Sequence, residues 1–382
     1  MLPIKMVAPL LGVLMVLGSS VAIAATPTLT PSPSPTPPPS FTANGVYSIA
    51  SFQSDPANAT GALDTTNGSD RASRADIMNL LLNVNASERK LSGSATLGAY
   101  AFPTIGYALN QTFQTGANTS LYGALPLIDL NFAPDSHVAF MVGKLATMLG
   151  QESGFTYQNF NIERGLAWAL EPTVQRGARI TYLNGAWSAA IEDDDGFYSG
   201  RYGSVTSMLA YSPSAATTIS FIAMSPSANA RPNPTMPIAN KREYDLMFSR
   251  QIGKWNLQPY ILLVRSPASA LLGYARDERA SAAVFLGTYS ASPRLSFGFR
   301  YEALRNASAT NDIGPNADLL GYGPGSSARS FTLTPTYRFG TAFVRGEIAR
   351  VALNAYQPGL GFGALGTNAT QTRLGIELGV QP

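Results

Sequence analysis

The side chains that could carry out chemistry are few and widely separated in this sequence. It contains a single histidine, His137, and no cysteine. A Ser-His-Asp triad, a Cys-His pair and a histidine-rich metal centre therefore cannot readily be assembled. The sequence also contains no Walker loop and no dinucleotide fingerprint in a strand-turn-helix setting. We expect no catalytic residues, no metal ligands and no cofactor, and we expect His137 to be an exposed turn residue.

Charged residues recur instead at alternate positions of segments whose other positions are apolar. In 295–302, for example, Arg300 and Glu302 alternate with Phe299 and Tyr301. Charges of both signs on one polar face favour the wall of a weakly selective pore, whose field orders water and steers solutes. The alternative is that these ions pair with one another inside any polar interior. The candidate set is Arg179, Arg300, Glu302, Arg338, Arg345, Glu347, Arg373 and Glu377.

A second charged group surrounds the apolar stretch Leu166 to Leu170. It consists of Glu163, Arg164, Glu171 and Arg176. If the connection 149–173 folds inward, these residues form a constriction. If the connection lies on an outer rim, they are solvated.

An acidic run extends from Glu192 to Asp195 and ends at Gly196. It only loosely resembles a calcium loop, which needs spaced oxygen ligands and a distant carboxylate. We expect a solvated acidic loop.

The elements that must position these residues are strands. Charged residues make up 13% of the chain, and the net charge of +3 is not clustered as nucleic-acid binding would require. Sixteen segments of about ten residues show a period of two, and helical periodicity is nearly absent. The predicted strands lie near 41–53, 75–87, 90–101, 121–133, 137–148, 174–183, 187–195, 203–212, 216–225, 242–251, 255–265, 279–290, 294–304, 328–339, 342–353 and 371–381.

The connections between these strands decide between a soluble sandwich and a membrane barrel. Tight turns, such as Asn184-Gly185 and Gly340-Thr341, alternate strictly with longer loops. Short turns on one rim, long loops on the other and an even strand number are typical of outer-membrane barrels. We therefore predict an all-β, transmembrane, antiparallel up-and-down barrel of sixteen strands with both termini on the periplasmic side. Counting 164–170 as a strand would lead to the alternative of eighteen.

The N-terminal region differs in composition from the rest. Residues 1–24 combine Lys5, an apolar stretch and the small triplet Ala22-Ile23-Ala24, which is typical of a cleaved signal peptide. Residues 25–40 are rich in proline and predict an extended periplasmic linker. The predicted barrel then occupies 41–382.

The region 121–200 resembles the outer-membrane β-barrel porins of the OmpL-like type, and Gly45-Val46-Tyr47 resembles the start of that family. The matching residues are Gly143-Lys144, Gly150-Gln151-Glu152, Asn159 to Asn161, Glu163-Arg164, Glu171-Pro172, Gly177-Ala178-Arg179, Tyr182 and Asn184-Gly185. The sequence departs from such barrels at Gly379-Val380-Gln381-Pro382, where an aromatic residue is usual.

This resemblance implies an outer-membrane channel rather than an enzyme. With the strand number, it leads us to expect passive diffusion of small hydrophilic solutes, because sixteen to eighteen strands leave an aqueous channel. The alternative is a structural or adhesive barrel with a plugged lumen and functional external loops. The expected partners are outer-membrane lipids, the barrel-insertion machinery and the solutes, without nucleic acid, in a monomer or a homotrimer.

Overall fold

The computed structural model describes residues 39–57, 73–107, 122–227, 240–272, 275–308 and 318–381. The predicted signal peptide and nearly all of the predicted linker lie outside these residues. No helix in the described ranges is both long and apolar enough to cross a bilayer. Among the described residues, short 3₁₀ helices lie in connections at Thr156–Gln158, Ala167–Leu170 and Ala270–Leu272.

Sixteen antiparallel strands form one sheet in the described chain, in sequence order. They are β1 Ser40–Asp55, β2 Ser73–Glu88, β3 Leu91–Tyr100, β4 Leu127–Phe132, β5 Val138–Ala146, β6 Val174–Asn184, β7 Trp187–Asp194, β8 Ser204–Ser214, β9 Thr217–Pro226, β10 Arg242–Ile252, β11 Trp255–Leu257 continuing as Tyr260–Ser266, β12 Glu278–Ser290, β13 Leu295–Asn306, β14 Ser327–Phe339, β15 Ala342–Asn354 and β16 Thr370–Val380.

The sheet closes on itself because β1 pairs with both β2 and β16. Tyr47 opposes Val380 and Asp55 opposes Thr372 along this seam. Closure pairs the backbone groups of what would otherwise be two open edges, which a structure in lipid requires. The predicted barrel of sixteen strands is confirmed.

Turn chemistry explains the alternation of the two rims. Two-residue turns join five hairpins, and Gly185 (φ +58°) and Gly340 (φ +63°) supply the positive φ that such turns need. Long connections all leave from the opposite rim. Because the strands run up and down, Ser40 and Val380 lie at the short-turn rim.

Two strands differ from the prediction. The fourth strand begins at Leu127 rather than near 121, and the eleventh is interrupted at Gln258-Pro259. Proline has no amide hydrogen, so Pro259 removes a hydrogen bond from the ladder. The Phe248 amide still donates to the Pro259 carbonyl oxygen at 3.0 Å, which keeps the strand attached.

The outer face carries many exposed large apolar side chains, as the alternation predicts, but the alternation breaks in β2. Leu80 and Leu82 point outward, whereas Met78 of the same series is buried. The register of β1 with β2 shifts between Ser48 and Ile49, which leaves Met78 unpaired. Because this bulge changes the parity of the strand, Met78 packs inside in one cluster with Phe52, whereas strict alternation with Leu80 and Leu82 would place it outward.

Aromatic side chains gather beside the tight turns on the outer face. Trp187 lies 4.6 Å from Tyr211, and Trp255 lies 4.7 Å from Tyr289, measured between ring centroids. These residues occupy strand ends next to the short-turn rim. Aromatic girdles at this level mark the interface between hydrocarbon and water in outer-membrane barrels.

Candidate functional site in the barrel lumen

The inner wall of β13 to β16 carries the predicted charged residues, and these residues are buried. Arg300, Glu302 and Glu377 have no exposed surface, while their outward neighbour Tyr301 is 46% exposed. Arg345 and Glu377 oppose each other across β15 and β16, at 3.0 Å between guanidinium and carboxylate. Something other than water therefore covers this part of the wall.

That cover is the connection between β5 and β6, here called the inner loop (residues 147–173). Ile162, Leu166 and Ala167 of this loop are fully buried. The loop contacts β13, β15 and β16 and also reaches β10 on another side of the wall, where the Gly150 amide donates to Asp245 at 2.8 Å. A segment that contacts strands all around a closed barrel lies in its lumen.

Two wall glutamates hold the loop by its backbone. The Glu347 carboxylate accepts hydrogen bonds from the amides of Ile162 (2.6 Å) and Glu163 (3.0 Å). The Glu302 carboxylate accepts from the amides of Leu166 and Ala167, both at 3.0 Å. A carboxylate that accepts two backbone hydrogen bonds satisfies donors that have no ladder partner in an irregular loop.

Arginines of the wall hold the same loop by its carbonyl and carboxylate oxygens. Arg373 donates to the Glu163 carboxylate at 2.5 Å, and Arg300 donates to Glu152 at 2.6 Å and to the Glu163 carbonyl at 2.7 Å. Arg345 donates to the carbonyl of Thr156 at 2.9 Å. The structure thus brings six of the predicted wall residues together around the inner loop.

Arg164 belongs to the inner loop itself and not to the wall that holds the loop. Its guanidinium donates to the Ser153 carbonyl at 3.0 Å and lies over the rings of Phe102 and Trp168, at 5.4 Å and 5.7 Å from the centroids. The Ile105 amide donates to the Arg164 carbonyl at 3.0 Å. The segment 101–107 therefore lies in the lumen beside the inner loop.

Arg176 and Arg179 lie on β6, on another side of the wall, where three of the four carboxylates of the acidic run are buried. Glu192 is fully buried and binds Arg179 at 2.6 Å. Asp195 is 1% exposed and binds Arg176 at 2.7 Å. Asp194 accepts from Gln175 and Thr206. The expectation of solvated carboxylates is wrong for Glu192, Asp194 and Asp195, because they face inward at the end of β7 and just beyond it, whereas Asp193 is exposed.

A third acidic group joins the predicted Glu171 to two residues that the sequence analysis did not single out, Glu243 and Asp245. Glu171 at the end of the inner loop, Glu243 and Asp245 on β10 are all buried, and carboxylate oxygens of each lack a hydrogen-bond partner among the described residues. Burial and the neighbouring Asp245 raise the pKa of Glu171 well above its ordinary value. Burial lowers the pKa of Lys241, which donates to the Leu170 carbonyl, to about 8.

The inner wall of β8 to β12 also carries an apolar cluster beside its acidic residues, which alternation alone does not predict. Ile222, Met224, Leu262 and Val264 face inward and pack in one cluster with Leu166 and Leu170. A sequence signal existed, because 260–264 reads as a continuous apolar run, and such runs indicate burial on both faces. The inner loop therefore packs an apolar side on this wall and a polar side on the charged wall.

Two predicted positions make no hydrogen bond to the inner loop. Arg338 lies near the short-turn rim, with its guanidinium 5.7 Å from the centroid of the Phe343 ring. His137 lies in the turn before β5 with 59% of its side chain exposed, as expected. Within the described ranges no group of three or more histidine, cysteine or acidic residues is arranged to hold a metal ion.

The family is shown by a match over residues 41–381 to "Putative beta-barrel porin-2, OmpL-like". This chain belongs to that porin family. No curated protein matches the sequence. The family covers the strands and the inner loop alike, so the resemblance seen in 121–200 is confirmed.

Solved structures with the same fold are outer-membrane proteins. The outer-membrane channel DcaP of Acinetobacter baumannii superposes with a TM-score of 0.57 at 10% identity, covering 90% of this chain and 98% of that one. A loop-deletion mutant of OmpT of Vibrio cholerae gives 0.55 at 9% identity, covering 91% and 100%. The protein is therefore a porin-like channel of the outer membrane. Its family and its fold favour a channel over an enzyme.

Proposed function

We propose that this porin allows passive diffusion of small hydrophilic solutes with weak selectivity. The observation that supports this most directly is the polar attachment of the inner loop across a sixteen-stranded wall. Walls of this size leave an aqueous channel unless something fills them. The position of the loop would then set the width of the route.

We assign the predicted residues to two roles. Arg300, Glu302, Arg345, Glu347 and Arg373, with Glu377, hold the loop in place, while Arg179 and Arg338 lie beyond its anchors. Glu163, Arg164, Glu171 and Arg176 form the constriction. Since both groups contain both signs, the field along the route is mixed and selects weakly.

Planar-bilayer recordings test this proposal. The refolded full-length barrel should give discrete single-channel steps in potassium chloride with a reversal potential close to zero under a salt gradient. Complete absence of steps from a protein that circular dichroism shows to be folded would contradict the proposal.

A barrel with a plugged lumen is the second candidate, and the burial of Arg300 and Glu302 favours it. Such a barrel would act through its long loops in adhesion or as a structural element. Liposome swelling in sugars of graded size separates the two functions. A channel admits the smallest sugars and excludes larger ones, whereas a plugged barrel admits none.

The orientation and the processing of the chain are part of the proposal. Removal of residues 1–24 would leave the linker 25–40 in the periplasm, on the same side as the short-turn rim and both ends of the barrel 41–382. Assembly would involve the insertion machinery and outer-membrane lipids. Sequencing the N-terminus of protein purified from outer membranes tests the cleavage, and protease digestion of intact cells tests which rim is external.

We also propose a homotrimer. One solved relative of the same fold is the in-vitro folded OmpT of Vibrio cholerae in its trimer form. Light scattering in detergent, corrected for bound detergent, should give three times the mass of the processed chain. A mass of one chain would contradict this assignment.

A further inference from the structure

The guanidinium of Arg338 differs in its hydrogen bonding from the guanidinium groups of three other arginines that face the lumen. Arg300, Arg345 and Arg373 each donate to a carboxylate and to a loop oxygen. Within the described chain, no oxygen accepts a hydrogen bond from the Arg338 side chain, and its guanidinium lies over the Phe343 ring. An unpaired guanidinium presents five donors in a planar fork that matches an oxyanion.

Hydroxyl groups lie in a row next to this guanidinium because of the strand register. Ser290 opposes Ser296, Ser296 opposes Thr336, and Thr336 opposes Arg345 across four adjacent strands. The side chain two residues after Thr336 on the same face is that of Arg338. The hydroxyl groups of this row can thus donate hydrogen bonds to a ligand that the positive charge of Arg338 attracts.

A cavity of about 50 Å³ lies over this row, beneath Tyr157, Asn159 and Phe160 of the inner loop. It has room for a few waters, at about 10–15 Å³ each, or for one small ion of similar size. Ser290 is exposed and Arg338 is half-buried, so the cavity is open to water.

The charge of the cavity is positive. Among the residues that the structure describes, no carboxylate lines it. The nearby Glu377 is fully buried and already binds Arg345, Ser48 and Thr156. The opposite charges of Arg345 and Glu377 cancel, so the positive charge of Arg338 is left without a counter-charge in the cavity.

We propose that this cavity is a binding site for a small tetrahedral oxyanion such as inorganic phosphate or sulfate, held by Arg338 with the hydroxyls of Ser290, Ser296 and Thr336. The site deepens the channel function proposed above and rests on it for the route by which the anion arrives. A closed strand wall separates the cavity from the bilayer, so the ligand is a dissolved anion and not a lipid headgroup.

Equilibrium dialysis of radiolabelled inorganic phosphate against the refolded full-length barrel tests the site without relying on conduction. Three proteins are compared: wild type, Arg338→Gln and Arg294→Gln. Arg294 is an exposed arginine in the neighbouring turn, and its amide carbonyl accepts from the Arg338 amide. The control therefore removes the same charge from the same rim but outside the cavity.

We expect saturable binding by wild type and by Arg294→Gln, and binding about tenfold weaker in Arg338→Gln, as the loss of a charged hydrogen-bond donor implies. Arg338→Lys, which keeps the charge but not the fork, should fall between them. No saturable binding by wild type, or equal binding by wild type and Arg338→Gln, would overturn the site.

Bilayer recordings then separate the site from the function. In wild type, phosphate should reduce the chloride current, and Arg338→Gln should need about tenfold more phosphate for the same reduction. A silent barrel that still binds phosphate would refute the channel function and leave the site established by dialysis. A conducting barrel that neither binds phosphate nor is blocked by it would refute the site alone.

Discussion

The glutamates of the inner wall act on the inner loop through its backbone amides. Glu347 accepts from two amides of the loop and also from the Thr334 hydroxyl at 2.7 Å. Replacing it by glutamine removes the charge and turns one acceptor oxygen into a donor, next to amides that also donate. Since a hydrogen bond to a charged group contributes about 1.5–3 kcal/mol, Glu347→Gln should weaken the docking of the loop by about 2 kcal/mol.

Hydrogen exchange of the Ile162 and Glu163 amides measures this change. Both should exchange faster in Glu347→Gln at constant pH, while amides in the centres of the strands stay protected. Glu88→Gln, at an exposed hairpin end, serves as the matched control and should leave both rates unchanged. Equal protection in the two variants would show that the carboxylate does not hold the loop.

Glu171 makes the end of the same loop sensitive to pH. Burial and Asp245 raise its pKa, so its neutral form fits the docked position and its charged form does not. The docking free energy is therefore fully present below the ordinary glutamate pKa and is lost as pH rises through the raised one. The groups that face it are Asp245, Glu243, Lys241, Tyr260, Glu152 and Glu302.

We expect the Leu170 amide to lose protection relative to its intrinsic exchange rate as pH rises through the raised pKa of Glu171. In Glu171→Gln, which stays neutral, this loss should be absent. Burial lowers the pKa of Lys241 to about 8, and its deprotonation removes a positive charge that attracts the charged form of Glu171, so it should loosen the loop further. Identical pH profiles for the two proteins would contradict the role of Glu171.

At the scale of elements, the contact between the inner loop and β13 depends on the absence of a side chain. A Cβ atom at Gly298 would lie 2.2 Å from the Phe160 carbonyl oxygen. Gly298→Ala should therefore displace the loop, change the single-channel conductance and speed exchange at Ile162. Gly346→Ala is the control, because a Cβ there meets only Pro335 at 3.8 Å, and it should behave as wild type.

How far the sequence predicts these elements depends on what each signal measures. Alternation and turn residues predicted all sixteen strands, because one face meets lipid and the tight turns need Gly, Asn or Pro. Alternation could not reveal the Met78 bulge, since one extra residue reverses the parity without changing the composition. Alternation also could not show whether Asp194 faces the lumen or the solvent, because a polar residue fits the pattern in either case.

The sequence left the position of the inner loop open for a physical reason. Its apolar stretch Leu166 to Leu170 suits a strand, a rim or a lumen equally well. Its place depends on distant partners, such as Glu302 and Glu347, which are more than a hundred residues away in the chain. Only the closed topology brings those carboxylates within 3.0 Å of the loop amides.

For the whole molecule, the apolar band of the outer face must match the thickness of the hydrocarbon layer. Two isoleucines of similar exposure but different distance from the short-turn rim can test this match. Ile348 is 46% exposed and lies six residues into β15, and Ile252 is 47% exposed and ends β10 at a tight turn. At about 3.3 Å per residue and a tilt of about 40°, Ile348 lies roughly 15 Å from the short-turn rim. That places it near the middle of an apolar band of about 25 Å.

Arginine at Ile348 should therefore lower the free energy of unfolding by about 2–4 kcal/mol, and arginine at Ile252 by about 0–1 kcal/mol, because the cost of a charge falls toward the interface. Reversible guanidinium unfolding in lipid vesicles, followed by tryptophan fluorescence, measures both variants. The same pair in detergent micelles, where no fixed hydrocarbon thickness is imposed, should differ less. Equal losses in vesicles would mean that the short-turn rim is not at the membrane interface, and the aromatic girdle around Trp187 and Trp255 would then need another explanation.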